Sequence, residues 1–164
     1  MACRDFGDIK RGDFGGFIES EKNLSHVGNC WVSGDAKVYD NARVYDNAHI
    51  SGNTKVFGFA VVYGNALIAE NAKVYGSAEV YGSAEVYENA QVTGRAKVCF
   101  KAEVFGKAKI LGNAKIWRNA RVYDNACVYD DADITDRAKI FGNASVYGNA
   151  KISGRAKVDY DVKD

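Results

Sequence analysis

Ala36-Lys37-Val38-Tyr39-Asp40-Asn41 and Ala114-Lys115-Ile116-Trp117-Arg118-Asn119 are two copies of the six-residue unit that decides how this 164-residue chain folds. Every sixth residue from Val32 to Val158 is Val or Ile, twenty-two positions without a miss, and an Ala-sized residue recurs four positions later. A fixed period of this kind governs any local assignment. Within a unit, Ala and Val stand two apart with one residue between them. Ala and Val therefore point inward, and Lys and Tyr outward, along a short strand. The next pair turns the chain. Gly64-Asn65, Asp46-Asn47, Gly112-Asn113 and Gly148-Asn149 are built from residues that tolerate left-handed backbone angles.

A helical reading fails, because a six-residue apolar period drifts off any 3.6-residue face and β-branched Val and Ile favour strands. A lone short strand buries nothing. Stacked coils bury a continuous narrow core, since each strand pairs with its equivalent one coil away. The absence of Pro agrees, because such a ladder uses nearly every backbone N–H.

The pattern Val/Ile-x-Gly/Asp-Asn-Ala-x resembles the hexapeptide repeat of left-handed parallel β-helices, over roughly residues 30 to 161. That resemblance implies an all-β, single-stranded left-handed parallel β-helix of about seven triangular coils, three hexads to a coil. The stretch Gly12-Asp13-Phe14-Gly15-Gly16-Phe17-Ile18-Glu19, with Asn23-Leu24-Ser25 and Gly28-Asn29-Cys30-Trp31, is similar to the start of YdcK-like bacterial and phage-associated hexapeptide proteins. Residues 1–29, which break the register, are expected to form an irregular N-terminal cap, residues 30–161 the β-helix and residues 162–164 a C-terminal tail. Phe6, Ile9, Phe14, Phe17, Ile18 and Leu24 supply apolar cover for the first coil. The charged end Asp159-Tyr160-Asp161-Val162-Lys163-Asp164 protects the last edge electrostatically.

A formal net charge of +1 gives no global field for nucleic acid or an anionic membrane, so neither is an expected partner. With no long apolar run or basic-then-apolar stretch in the sequence, neither a transmembrane span nor a signal peptide is expected. The four Cys are scattered, with Cys30 in an inward small-residue slot and Cys99 and Cys127 on different sides. A disulfide framework is not expected, and a reducing cytoplasm is the expected location.

Three outward columns follow by adding 18 to a residue number. One carries Tyr45, Tyr63, Tyr81, Cys99 and Trp117; a second carries Tyr39, Phe57, Tyr75, Thr93, Leu111, Tyr129 and Tyr147. The third holds Ser33, Ser51 and Ala69 and then Tyr87, Phe105, Tyr123 and Phe141. Such ladders stabilise a sheet by cross-strand stacking. They also form aromatic strips of the sort that mark protein contacts, which makes Tyr45, Tyr63, Tyr81, Trp117, Tyr87, Phe105, Tyr123 and Phe141 interface candidates. The resemblance implies self-association, trimers included. Lys37, Lys55, Lys73 and Lys109, interrupted by Gln91, run beside the second column and are candidates for an anionic ligand, against their ordinary solubilising role on exposed strands.

Many hexapeptide proteins are acyltransferases that use acetyl-CoA and a His base. Only His26 and His49 exist here, so His49, outward between Trp31 and Leu67, is the catalytic candidate and acetyl-CoA the cofactor under that alternative alone. His26 is expected to pack at the cap junction. The run from Cys30 to Val158 has no insertion to build an acceptor pocket. Two His do not supply a zinc site, and Asp124, Asp130 and Asp136 fall on successive corners, which separates them. The expected function is a non-catalytic, rigid, phage-borne binding or assembly module acting through its side faces on a protein partner or a second copy, without cofactor or metal. The alternative is a CoA-dependent acyltransferase with an inter-subunit site.

Overall fold

The structure, a computed structural model, describes residues 9–164; Phe6 and the start of the predicted cap lie outside the described residues. Lys37 pairs with Lys55, Lys55 with Lys73 and Val80 with Val98, always in parallel and always 18 residues apart. Three hexads therefore close one turn, and the chain winds into an all-β parallel solenoid of about eight turns with three sheets. The first face runs from Phe17–Ile18 through Lys37–Val38 and Lys55–Val56 to Val162–Lys163. The second runs from Leu24–Gly28 through Arg43–Asp46 to Lys151–Ile152, and the third from Trp31–Val32 through His49–Ile50 to Lys157–Val158.

The backbone ladder explains the missing prolines. Lys37 N–H donates to the Thr54 carbonyl at 2.9 Å and Tyr39 N–H to the Val56 carbonyl at 3.1 Å, a pattern repeated turn after turn. Inside, the Val/Ile and Ala columns are sealed: Val80, Ile110, Ala78 and Ala108 are each 0% exposed. Thr54 is the one polar member of the small-residue column, and its hydroxyl donates to the Ser51 carbonyl at 2.6 Å, so burial costs no hydrogen bond.

The sheets extend beyond the uninterrupted hexad run at both ends. Phe17–Ile18 and Leu24–Gly28 add strands to the first and second faces, with Phe17 opposite Lys37, so the first turn is two residues longer than the rest. The last is two shorter, with Val146 opposite Val162. The apolar residues expected to cover the first coil divide. Leu24 packs on the core, but Phe14, Phe17 and Ile18 point to solvent. The close cover comes instead from Gly15 and Gly16, whose bare backbone lies against Val32; Gly16 N–H donates to its carbonyl at 2.7 Å. A phenyl ring has no room at that approach. Asn23 staples this segment down: its buried amide donates to the Asp40 and Ala42 carbonyls and its oxygen accepts from Ser20 N–H.

Corner Asp residues link successive turns. Asp40, Asp46, Asp124, Asp130 and Asp136 all have positive φ, and each carboxylate accepts from the N–H of a glycine 18 residues on, from Gly58 at 3.1 Å to Gly154 at 3.1 Å. Asp is among the few residues that tolerate this backbone region, and here the side chain also satisfies a neighbouring donor.

Two substitutions test this geometry. Val80→Asp or Ile110→Asp forces a carboxylate into a core with no partner, and thermal unfolding should show a loss of several kcal/mol or failure to fold. Gly94→Ala should destabilise much more than Gly154→Ala. Both glycines have positive φ, but a Cβ at Gly94 would lie 2.6 Å from the Gly112 carbonyl oxygen, whereas one at Gly154 meets nothing within 4 Å. Equal losses in paired melts would contradict the turn-on-turn contact.

Candidate functional site

Each outward column becomes a ladder because equivalent residues repeat at the strand spacing of about 4.8 Å. On the second face Tyr45, Tyr63 and Tyr81 are stacked, with ring centroids 4.9 and 4.8 Å apart and planes within 11°. The stack stops at Cys99. Trp117 stands one rung further, where its indole N–H donates to Asp133 at 2.5 Å and the Arg118 guanidinium lies 4.6 Å over its ring. The column thus brings Tyr45, Tyr63 and Tyr81 together but leaves Trp117 apart from them.

On the third face Tyr87, Phe105, Tyr123 and Phe141 form one unbroken stack at 5.0, 5.0 and 5.5 Å. Arg121 braces it, with its guanidinium 5.1 Å from the Phe105 ring centre and bonded to Glu103 at 2.7 Å. Above this stack His49 is exposed in register between Trp31 and Leu67. Among the described residues no side chain forms a hydrogen bond or ion pair with its imidazole. His26 is exposed rather than packed at the cap junction; it lies on the strand Leu24–Gly28 where the register against Arg43–Asp46 shifts between Leu24 and Gly28.

The first face combines both kinds of candidate. Tyr39, Phe57 and Tyr75 stack at 5.0 and 4.9 Å with planes 1° apart. Beside them Lys37, Lys55 and Lys73 are direct cross-strand neighbours, and Lys109 follows after Gln91. Like charges in that relation repel. No described carboxylate forms an ion pair with any of the four, and the strands of this face contain no Asp or Glu. The other two faces intersperse both signs, as in Glu79 with Lys97 at 3.0 Å and Glu103 with Arg121. At the near corner Phe59 is 65% exposed, and Phe17, 59% exposed, lies under the Lys37 ammonium. Corner aromatics such as Phe59 and Phe100 are absent from the column reading; their only sequence signal is a ring where Gly, Asn or Asp usually stands.

Stacking also changes the phenols. Desolvation raises the Tyr45 and Tyr63 pKa values, with Asp46 and Glu79 respectively adding repulsion. Tyr81 is raised furthest, first by its hydroxyl's hydrogen bond to the Cys99 sulfur and then by burial. Burial likewise holds Cys99 as a thiol. Among the described residues no group of three His, Cys, Asp or Glu side chains is placed to hold a metal, and no helix is long and apolar enough to cross a membrane.

Residues 36–52 match the family model described as "YdcK Beta solenoid repeat". That span contains Lys37–Val38, Arg43–Asp46 and His49–Ile50, one strand from each face, and so corresponds to nearly one full turn. The fold as a whole is consistent with a hexapeptide-repeat β-helix. No curated protein matches the chain.

The raised phenols set an alkaline limit. A tyrosine whose folded pKa lies above its unfolded value of about 10 contributes stability that is complete below that pH and is lost as pH rises through the folded value. Thermal midpoints should therefore fall above about pH 10. Tyr63→Phe with Tyr81→Phe, which keeps the rings and removes the ionising groups, should flatten that fall relative to the parent. An unchanged slope would remove the phenols as its cause.

Proposed function

We propose that this β-solenoid is a non-catalytic, rigid binding scaffold that presents its first face to a partner protein bearing a row of carboxylates. The observation that carries this reading is the segregation of charge. Lys37, Lys55 and Lys73 stand in adjacent rungs with no acidic strand residue to compensate them, although the same chain intersperses Glu with Lys and Arg on its other faces. Holding like charges 18 residues apart in register costs stability that an acidic partner would return. The Tyr39, Phe57 and Tyr75 stack and the exposed Phe59 lie alongside and supply the rigid apolar area that interface cores use. Preorganisation by the solenoid keeps the ordering cost of association low.

The test uses the whole chain and poly-L-glutamate as an acidic polypeptide probe, with affinity measured at low and moderate salt. Lys37→Glu, Lys55→Glu and Lys73→Glu together should weaken binding at least tenfold, while Lys139→Glu with Lys157→Glu on the third face should change it little. Equal effects of the two sets would overturn the assignment to the first face. Tighter capture of single-stranded polyuridylate than of poly-L-glutamate would contradict a protein partner. Acetyl transfer from acetyl-CoA that disappears in His49→Ala, or a trimer that co-purifies with CoA, would establish the acyltransferase alternative instead.

A further inference from the structure

The second-face ladder lacks one ring, and we propose that the gap is a binding slot for a single planar aromatic ring bearing an anionic group. Tyr81 and Trp117 stand one rung either side of Cys99, so they are separated by about twice the 4.8 Å strand repeat. Ring centroids in the unbroken stacks are 4.8 to 5.0 Å apart on this face and the first. One ring placed between Tyr81 and Trp117 would lie at stacking distance from both. A cleft of about 370 Å³ occupies this position, lined by Tyr81, Cys99, Phe100, Trp117, Lys97 and Lys115, together with Asp133. That volume falls within the range of small-molecule sites. Cys99, buried, lies at its floor. Phe100, held at the corner with φ +60° and 57% exposed, tilts at 45° toward Trp117 and makes a side wall.

The lean of Trp117 on this face, matched by that of Tyr75 on the first face, gives the polarity of the ligand. Tyr75 sends its hydroxyl to Gln91 and Trp117 sends its indole N–H to Asp133, in each case the outward residue 16 positions later. A ring seated at the Cys99 rung and leaning the same way would direct its polar end to residue 115, which is Lys115. Lys97 is already paired with Glu79 and Arg118 with Asp136, whereas no described carboxylate forms an ion pair with Lys115. The ring fills the slot and its carboxylate meets the Lys115 ammonium, whose cross-strand neighbour Asp133 is engaged by the Trp117 indole N–H. This site is on a different face from the lysine row and stands independently of the proposed scaffold role.

The probes are 4-nitrobenzoate and its uncharged counterpart 4-nitrobenzamide, followed by ligand-observed NMR with the intact chain. In ¹⁵N-labelled protein, the Trp117 indole N–H signal, assigned with Trp117→Phe, reports where they bind. The benzoate should shift that signal saturably, with a Kd on the order of millimolar, and leave the Trp31 signal in place. Cys99→Tyr supplies the missing ring, so it should keep the thermal midpoint or raise it and weaken binding at least tenfold. Lys115→Gln should weaken the benzoate several-fold and leave the benzamide unchanged. Absence of a saturable shift in the parent, equal shifts at Trp31, or full binding by a folded Cys99→Tyr protein would overturn the slot. Should Cys99→Tyr fail to fold, Trp117→Leu takes its place, and retained binding by that variant overturns the proposal equally.

Discussion

Everything in this molecule depends on the parallel backbone ladder that places each residue directly beside the one 18 positions away. Lys37 donating to Thr54 and Tyr39 to Val56 are single instances of it. With two-residue strands on each face, no strand has stability of its own, and only the accumulation of identical turns buries the Val, Ile and Ala columns. The ladder also makes the interior unforgiving. Neighbouring turns leave no space for a different side chain inside, and at corners such as Gly94 they leave no space for a Cβ.

The same register turns the outside into a set of columns in which any side chain is repeated, opposed or omitted at fixed spacing. Repetition of rings gives stacks, and repetition of Lys gives a run of first-face strands whose charges have one sign. Opposition gives the Glu79–Lys97 and Glu103–Arg121 bridges, each across neighbouring rungs. Such exposed pairs contribute little to stability, but they distinguish balanced faces from the unbalanced one. Omission gives the gap at Cys99. A surface built this way carries information through departures from its own period, as at Cys99, Phe59 and Phe100.

Most of the fold is legible in the sequence because one length scale governs it. The inward Val and Ala columns, the turns at Gly-Asn and Asp-Asn, and the membership of the Tyr45, Tyr39 and Tyr87 columns all follow from counting by six and eighteen. The ends are less legible because they leave the period. The 20-residue offset of Phe17 from Lys37 has no hexad to announce it, and the buried Asn23 staple looks like any turn residue. Nor does counting give the direction in which a ring leans. Rotamers within the column decide that Trp117 reaches Asp133, and this contact shapes the candidate slot. The five corner carboxylates are an intermediate case: each Asp is followed 18 residues later by Gly, a rule visible in the sequence once the register is known.

The register itself is open to direct measurement by distances between spin labels on one corner. Asn47, Asn65 and Arg155 are exposed and share an edge, with Asn47 six turns and Asn65 five turns from Arg155. In a background with the four cysteines replaced by Ala, labels at 47 and 155 should give one narrow distribution near 29 Å, about six strand repeats. Labels at 65 and 155 should give one near 24 Å, shorter by a single repeat. Broad distributions, or a difference between the two pairs that is not close to one strand spacing, would contradict the solenoid register on which the faces, the ladders and the slot all rest.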